Sequence, residues 1–83
     1  MKTILAYGDS LTFGANPTGG ARHDYADRWP SVLEAGLAGK ARVIAEGLGG
    51  RTTVSDDWYA AADRNGARVL PTLLESHRPL DMV

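Results

Sequence analysis

Two short apolar runs, each closed by a glycine, constrain this chain more than any other feature. Thr3-Ile4-Leu5-Ala6-Tyr7 meets Gly8, and Arg42-Val43-Ile44-Ala45 is followed by Glu46 and Gly47. A strand with one wet face alternates apolar and polar residues, whereas one buried on both faces does not. Both runs therefore predict central strands of a parallel sheet. Parallel neighbours need a crossover between them, and the intervening segment supplies one. Ala15 to Tyr25 is rich in Gly, Pro, Asn and Thr and reads as a loop. Asp27-Arg28-Trp29-Pro30 then reads as a helix start, with Pro30 suited to the first helical position. Trp29, Val32, Leu33 and Leu37 recur at helical spacing, which predicts Trp29 in the core, and Gly39 is expected to end the helix.

After the second run, Val54 to Arg64 is polar and reads as an extended surface loop. A further helix is predicted from Asn65, with Val69, Leu70, Leu73, Leu74 and His77 on one face. Pro71 predicts either a kink or a helix that effectively begins at the proline. Leu80-Asp81-Met82-Val83 reads as the first half of a third buried strand. Strand, helix, strand, helix, strand is the order of an α/β fold, a doubly wound parallel sheet with right-handed crossovers. A domain rarely stops inside its own core, so residues 1–83 are expected to be the amino-terminal part of one longer domain. A piece of this size is expected to be unfolded or aggregated by itself.

Composition removes several function classes. Nine Lys and Arg against ten Asp and Glu give a net charge of −1. That balance offers no electrostatic footprint for nucleic acid or an anionic membrane. The absence of cysteine excludes a disulfide scaffold, a cysteine nucleophile and thiolate zinc sites. Ile4-Leu5-Ala6-Tyr7 is far too short for a membrane span or a signal-peptide core, so a cytoplasmic address is the expectation.

In doubly wound sheets, ligands bind outside the carboxyl ends of the strands. Two glycine-containing loops fall there, Gly8-Asp9-Ser10 and Gly47-Leu48-Gly49-Gly50-Arg51. Ser10 is either a helix cap or an exposed nucleophile beside unpaired helix N–H groups; Asp9 is the alternative cap. Gly49-Gly50 is either a turn needing positive φ or a place where backbone N–H groups approach a ligand. Arg51 either positions a loop or substrate or forms a structural ion pair. Phe13 and Trp58 are candidates to line a pocket. His23 reads as an ordinary exposed histidine, and His77 as a cap on the free carbonyls of its helix. Asp56-Asp57 reads as solvated, without the cluster a metal site needs. Neither loop is G-x-G-x-x-G or a P-loop, so no dinucleotide is expected. A flavodoxin-like module binding a small anion or nucleotide, without covalent chemistry, stays open on these residues alone.

Ala6-Tyr7-Gly8-Asp9-Ser10-Leu11-Thr12-Phe13-Gly14 resembles the nucleophile motif of the GDSL, or SGNH, hydrolases. Glu46-Gly47-Leu48-Gly49-Gly50-Arg51-Thr52-Thr53 resembles their second motif. Asp63 to Arg68 and His77 to Val83 are similar to the bacterial arylesterase and acyltransferase branch. The resemblance implies a flavodoxin-like fold, of which this chain is the β-α-β-α-β portion, and ester hydrolysis through a serine acyl-enzyme. It implies Ser10 as nucleophile, oxyanion N–H groups from Ser10 and Gly50, and Asp9 supporting the turn. Short acyl, aryl or acetylated-sugar esters, transfer to alcohols and a homo-oligomer are implied as well, with no metal or other cofactor. The family's Gly-x-Asn-Asp and Asp-x-x-His motifs, which carry the third oxyanion donor and the general base, have no counterpart here.

Overall fold

The computed structural model describes residues 1–83. Its elements are β1 (Lys2–Gly8), α1 (Ser10–Phe13), a 3₁₀ turn (Tyr25–Asp27), α2 (Trp29–Gly36), β2 (Ala41–Gly47) and α3 (Gly66–His77). The two apolar runs pair in parallel, from Lys2 opposite Ala41 to Gly8 opposite Gly47. Leu5 is fully buried on one face of this pair, and Ala6, Ala41 and Val43 are buried on the other.

The third strand is shorter than expected. On the free edge of β1, the Leu5 N–H donates to the Met82 carbonyl at 2.9 Å, and the Asp81 N–H donates to the Thr3 carbonyl at 2.9 Å. The Asp81 carboxylate also accepts from the Thr3 N–H at 2.8 Å. The result is a single parallel bridge, Ile4 to Met82, beside a two-stranded sheet. Too few residues after Pro79 lie along β1 to build a ladder. The topology is nonetheless that of a doubly wound sheet. The chain goes from β1 to β2 on one side, then returns past β1 to the other. With right-handed crossovers, this reversal puts α2 and α3 on opposite faces and a switch point at the carboxyl end of β1.

α2 differs from its sequence-based outline, whereas α3 starts where Asn65 predicts it. α2 stops at Gly36, and the turn that follows holds Ala38 and Gly39 at φ 50° and 84°. Gly39 therefore serves the reversal into β2 and does not end the helix. Trp29 is 45% exposed and Val32 56%, so the expected core face is largely wet. α2 packs mainly on β2, α1 and the 3₁₀ turn, which leaves much of its apolar stripe without a partner. The Trp29 indole N–H donates to the Thr12 hydroxyl at 3.1 Å. α3 begins at Gly66, upstream of Pro71, because Asn65 caps it: its side-chain oxygen accepts from the Arg68 N–H. Pro71 lies inside the helix, where it removes one backbone donor.

Candidate active site

Because β1 and β2 end level, the loops after Gly8 and Gly47 start side by side. Two glycines let α1 sit directly on these ends. A Cβ on Gly47 would enter the Phe13 backbone, and one on Gly8 would strike the Thr12 side chain. The Leu48 N–H donates to the Gly8 carbonyl at 3.2 Å, joining the two loops.

Asp9 is the cap of α1. Its carboxylate accepts from the Leu11 N–H at 3.0 Å, and its carbonyl accepts from the N–H groups of Thr12 and Phe13. Ser10 is the first helical residue, and its hydroxyl forms no hydrogen bond within the chain. The capping duty that competed with a chemical role for Ser10 thus falls on its neighbour. On the adjoining loop, Gly50 takes φ +77°, and its N–H donates to no group of the chain. The two readings of the glycine pair therefore coexist: the positive φ turns the backbone, and the turn leaves an N–H free.

Arg51 forms no ion pair. Its Nη1 donates to the Glu46 carbonyl at 2.7 Å and the Gly8 carbonyl at 3.2 Å. Its guanidinium carbon lies 4.1 Å from the centre of the Tyr7 ring, and the Tyr7 hydroxyl donates to the Gly66 carbonyl at 2.7 Å. Arg51 thus fastens the ends of both strands, while Tyr7 ties β1 to the start of α3. Tyr7, Asp9, Arg51, Thr52, Ala67 and Leu70 contribute to the wall of a cavity of about 390 Å³. Ser10, Gly50, Phe13 and Trp58 do not line it.

Phe13 and Trp58 are not brought together. Phe13 is half-buried under Arg22, whose guanidinium carbon is 3.6 Å from the ring centre. Trp58 is 85% exposed and lines a separate cavity with Asp56, Asp57 and Arg68. His23 lies exposed in the first long loop. His77 is not a cap on its own helix; its Nε2 is 2.8 Å from a carboxylate oxygen of Glu46, across on β2.

Asp56 is not simply solvated. One of its carboxylate oxygens is 2.7 Å from Nη1 of Arg68 and accepts from the Asn65 amide at 3.2 Å. The Arg68 hydrogen bond, followed by that of Asn65, holds the Asp56 carboxyl below the usual carboxylate range. Asn65 is buried at 7% exposure and also donates to the Val54 carbonyl. The sequence marks Asn65 only as a helix start; its burial comes from the loop folding back over it. A carboxyl with a lowered folded-state pKa stabilises the fold above its ordinary pKa, and the effect is lost as pH falls through the lowered value. Proteolytic nicking of residues 53–62 in the folded protein is therefore expected to rise only below roughly pH 4. Asp56→Asn is expected to be nicked at neutral pH as well. Equal resistance of the two proteins at neutral pH would show that the ion pair does not hold this loop.

No protein-family model and no curated protein matches the chain. Solved structures do. A carbohydrate acetylesterase family member from Sinorhizobium meliloti is 63% identical over 99% of the chain, with a TM-score of 0.94. A putative arylesterase from Agrobacterium tumefaciens is 63% identical over 98%, with a TM-score of 0.93. An aryl esterase from M. smegmatis is 42% identical over 98%, with a TM-score of 0.86. The chain spans 39% of the length of each of these structures. The correspondence takes in both loops at the sheet edge and every element that positions them, so the chain carries the sequence and the fold of the amino-terminal part of a GDSL, or SGNH, hydrolase.

Proposed function

We propose that residues 1–83 form the nucleophile-bearing part of a serine esterase, with the rest of its catalytic machinery in a longer chain. One observation carries this reading. Asp9 takes over the cap, leaving the Ser10 hydroxyl unengaged at the same sheet edge as the free Gly50 N–H. The Ser10 oxygen attacks the ester carbonyl carbon, and its proton passes to a histidine outside these residues. The carbonyl oxygen becomes an oxyanion, met by the N–H groups of Ser10 and Gly50. Collapse breaks the bond to the alcohol oxygen, which leaves as the alcohol with the proton from the histidine. Water then cleaves the acyl-enzyme and restores Ser10.

The substrates proposed are short-chain acyl and aryl esters, with acetylated sugars and transfer to alcohols as further possibilities of the same acyl-enzyme. Similarity to structures described as a carbohydrate acetylesterase and as aryl esterases supports this choice. A homo-oligomer in the cytoplasm is proposed with it. No helix is long and apolar enough to cross a membrane. The test is to label the full-length protein with a fluorophosphonate and map the adduct by mass spectrometry. A single adduct on Ser10 is expected. Saturable phosphate binding with neither adduct nor aryl-acetate turnover would favour the anion-binding module instead.

A further inference from the structure

Arg64, which lies outside both loop motifs, reaches back to the glycine pair. Its Nε donates to the Gly49 carbonyl at 2.8 Å. The Gly49–Gly50 peptide is trans, and a trans peptide is planar with its C=O and N–H pointing in opposite directions. A grip on the Gly49 oxygen therefore fixes the direction of the Gly50 N–H, which points away from Arg64. A charged donor on the carbonyl also polarises the whole amide, so its N–H becomes a stronger donor.

The arginine is itself held. A Cβ added to Gly50 would come within 2.9 Å of Arg64 Nε and 3.0 Å of its Cδ, so the side chain packs against the bare Cα. Its Nη1 is buried without a partner, which shows the guanidinium pressed into the protein rather than waving in water. At its backbone, the Arg64 carbonyl accepts from the Thr52 N–H at 2.8 Å. The next residue is Asn65, the buried cap of α3. The glycine pair is thus braced from behind by the closing end of the polar loop from Val54 to Arg64.

We infer that Arg64 is a positioning residue that orients and polarises the Gly50 N–H for the developing oxyanion. The inference rests on the esterase reading above. It is tested by Arg64→Met and Arg64→Lys in the full-length enzyme, with aryl-acetate kinetics, thermal melting and the amide proton shift of Gly50. Removing an oxyanion donor outright costs about 10²–10³-fold in kcat. Arg64→Met leaves the donor in place but ungoverned. It is therefore expected to lower kcat by roughly 10–10²-fold, with KM within about twofold, and to move the Gly50 amide shift upfield. Arg64→Lys keeps a charge without the planar fork and is expected to fall between wild type and Arg64→Met in both kcat and shift.

An unchanged kcat in folded Arg64→Met would overturn the inference. A drop in kcat that follows only the loss of folded protein, with the Gly50 shift unmoved, would overturn it too. Should Arg64→Met not fold, Arg64→Lys decides, and wild-type values of both kcat and shift would refute the clamp. An inactive, unlabelled wild type would instead refute the esterase reading itself.

Discussion

Ser10→Ala in the full-length enzyme is expected to lower kcat for aryl acetates by at least about 10³-fold, with little change in KM. The substitution removes the attacking oxygen and leaves the backbone donors of Ser10 and Gly50 in place. Some rate above the uncatalysed reaction should therefore survive. Because Asp9 and not Ser10 caps α1, the melting temperature should not fall. Asp9→Ala is the complementary case. It removes the hydrogen bond to the Leu11 N–H and should cost stability, about 0.5–2 kcal/mol for a lost cap. A Ser10→Ala enzyme that kept its turnover would remove the nucleophile assignment. One that lost turnover only because it had unfolded would show Ser10 to be structural.

The second large effect concerns residues 1–83 by themselves. Expressed alone, they are expected to show no cooperative melt and no esterase activity. The accessible surface is 5704 Å², against about 4,800 Å² for a typical folded monomer of this mass. The radius of gyration is 13.6 Å, against about 12 Å for a compact chain of this length. Only nine of 83 residues are buried, and Leu5 alone among the large side chains is fully so. The apolar area removed from water cannot offset roughly 1–2 kcal/mol of backbone entropy per residue. The open strand edges favour association with other chains. Circular dichroism during heating and size-exclusion chromatography check this, and a sharp melt of a monomer would contradict it. Turnover by the isolated segment that vanished in Ser10→Ala would assign a base within it. His23 is exposed in a loop and His77 is engaged by Glu46, so neither is expected to serve.

The two strands and their parallel pairing were legible in the sequence because they depend on local rules. A run apolar on both faces has few alternatives to a central strand, and a glycine at its end marks where the chain can turn closely against a neighbour. Ser10 and Gly50 were marked by short motifs for the same reason. What local rules could not determine were outcomes of contact between distant segments. Trp29 has helical spacing suited to a core, but whether a sheet lies beneath it depends on how far the sheet extends. Arg51 follows a glycine pair, but only the pairing of β1 with β2 brings the carbonyls of Gly8 and Glu46 within reach of one guanidinium. Arg64 is separated from Gly49 by a polar loop, and nothing in its immediate neighbours signals the contact. Which residues can turn or cap is readable from the order of amino acids, since both follow from backbone freedom and side-chain chemistry. Which of Asp9 and Ser10 caps, and which arginine holds which carbonyl, depends on the folded molecule, because each hydrogen bond needs partners placed by the whole chain.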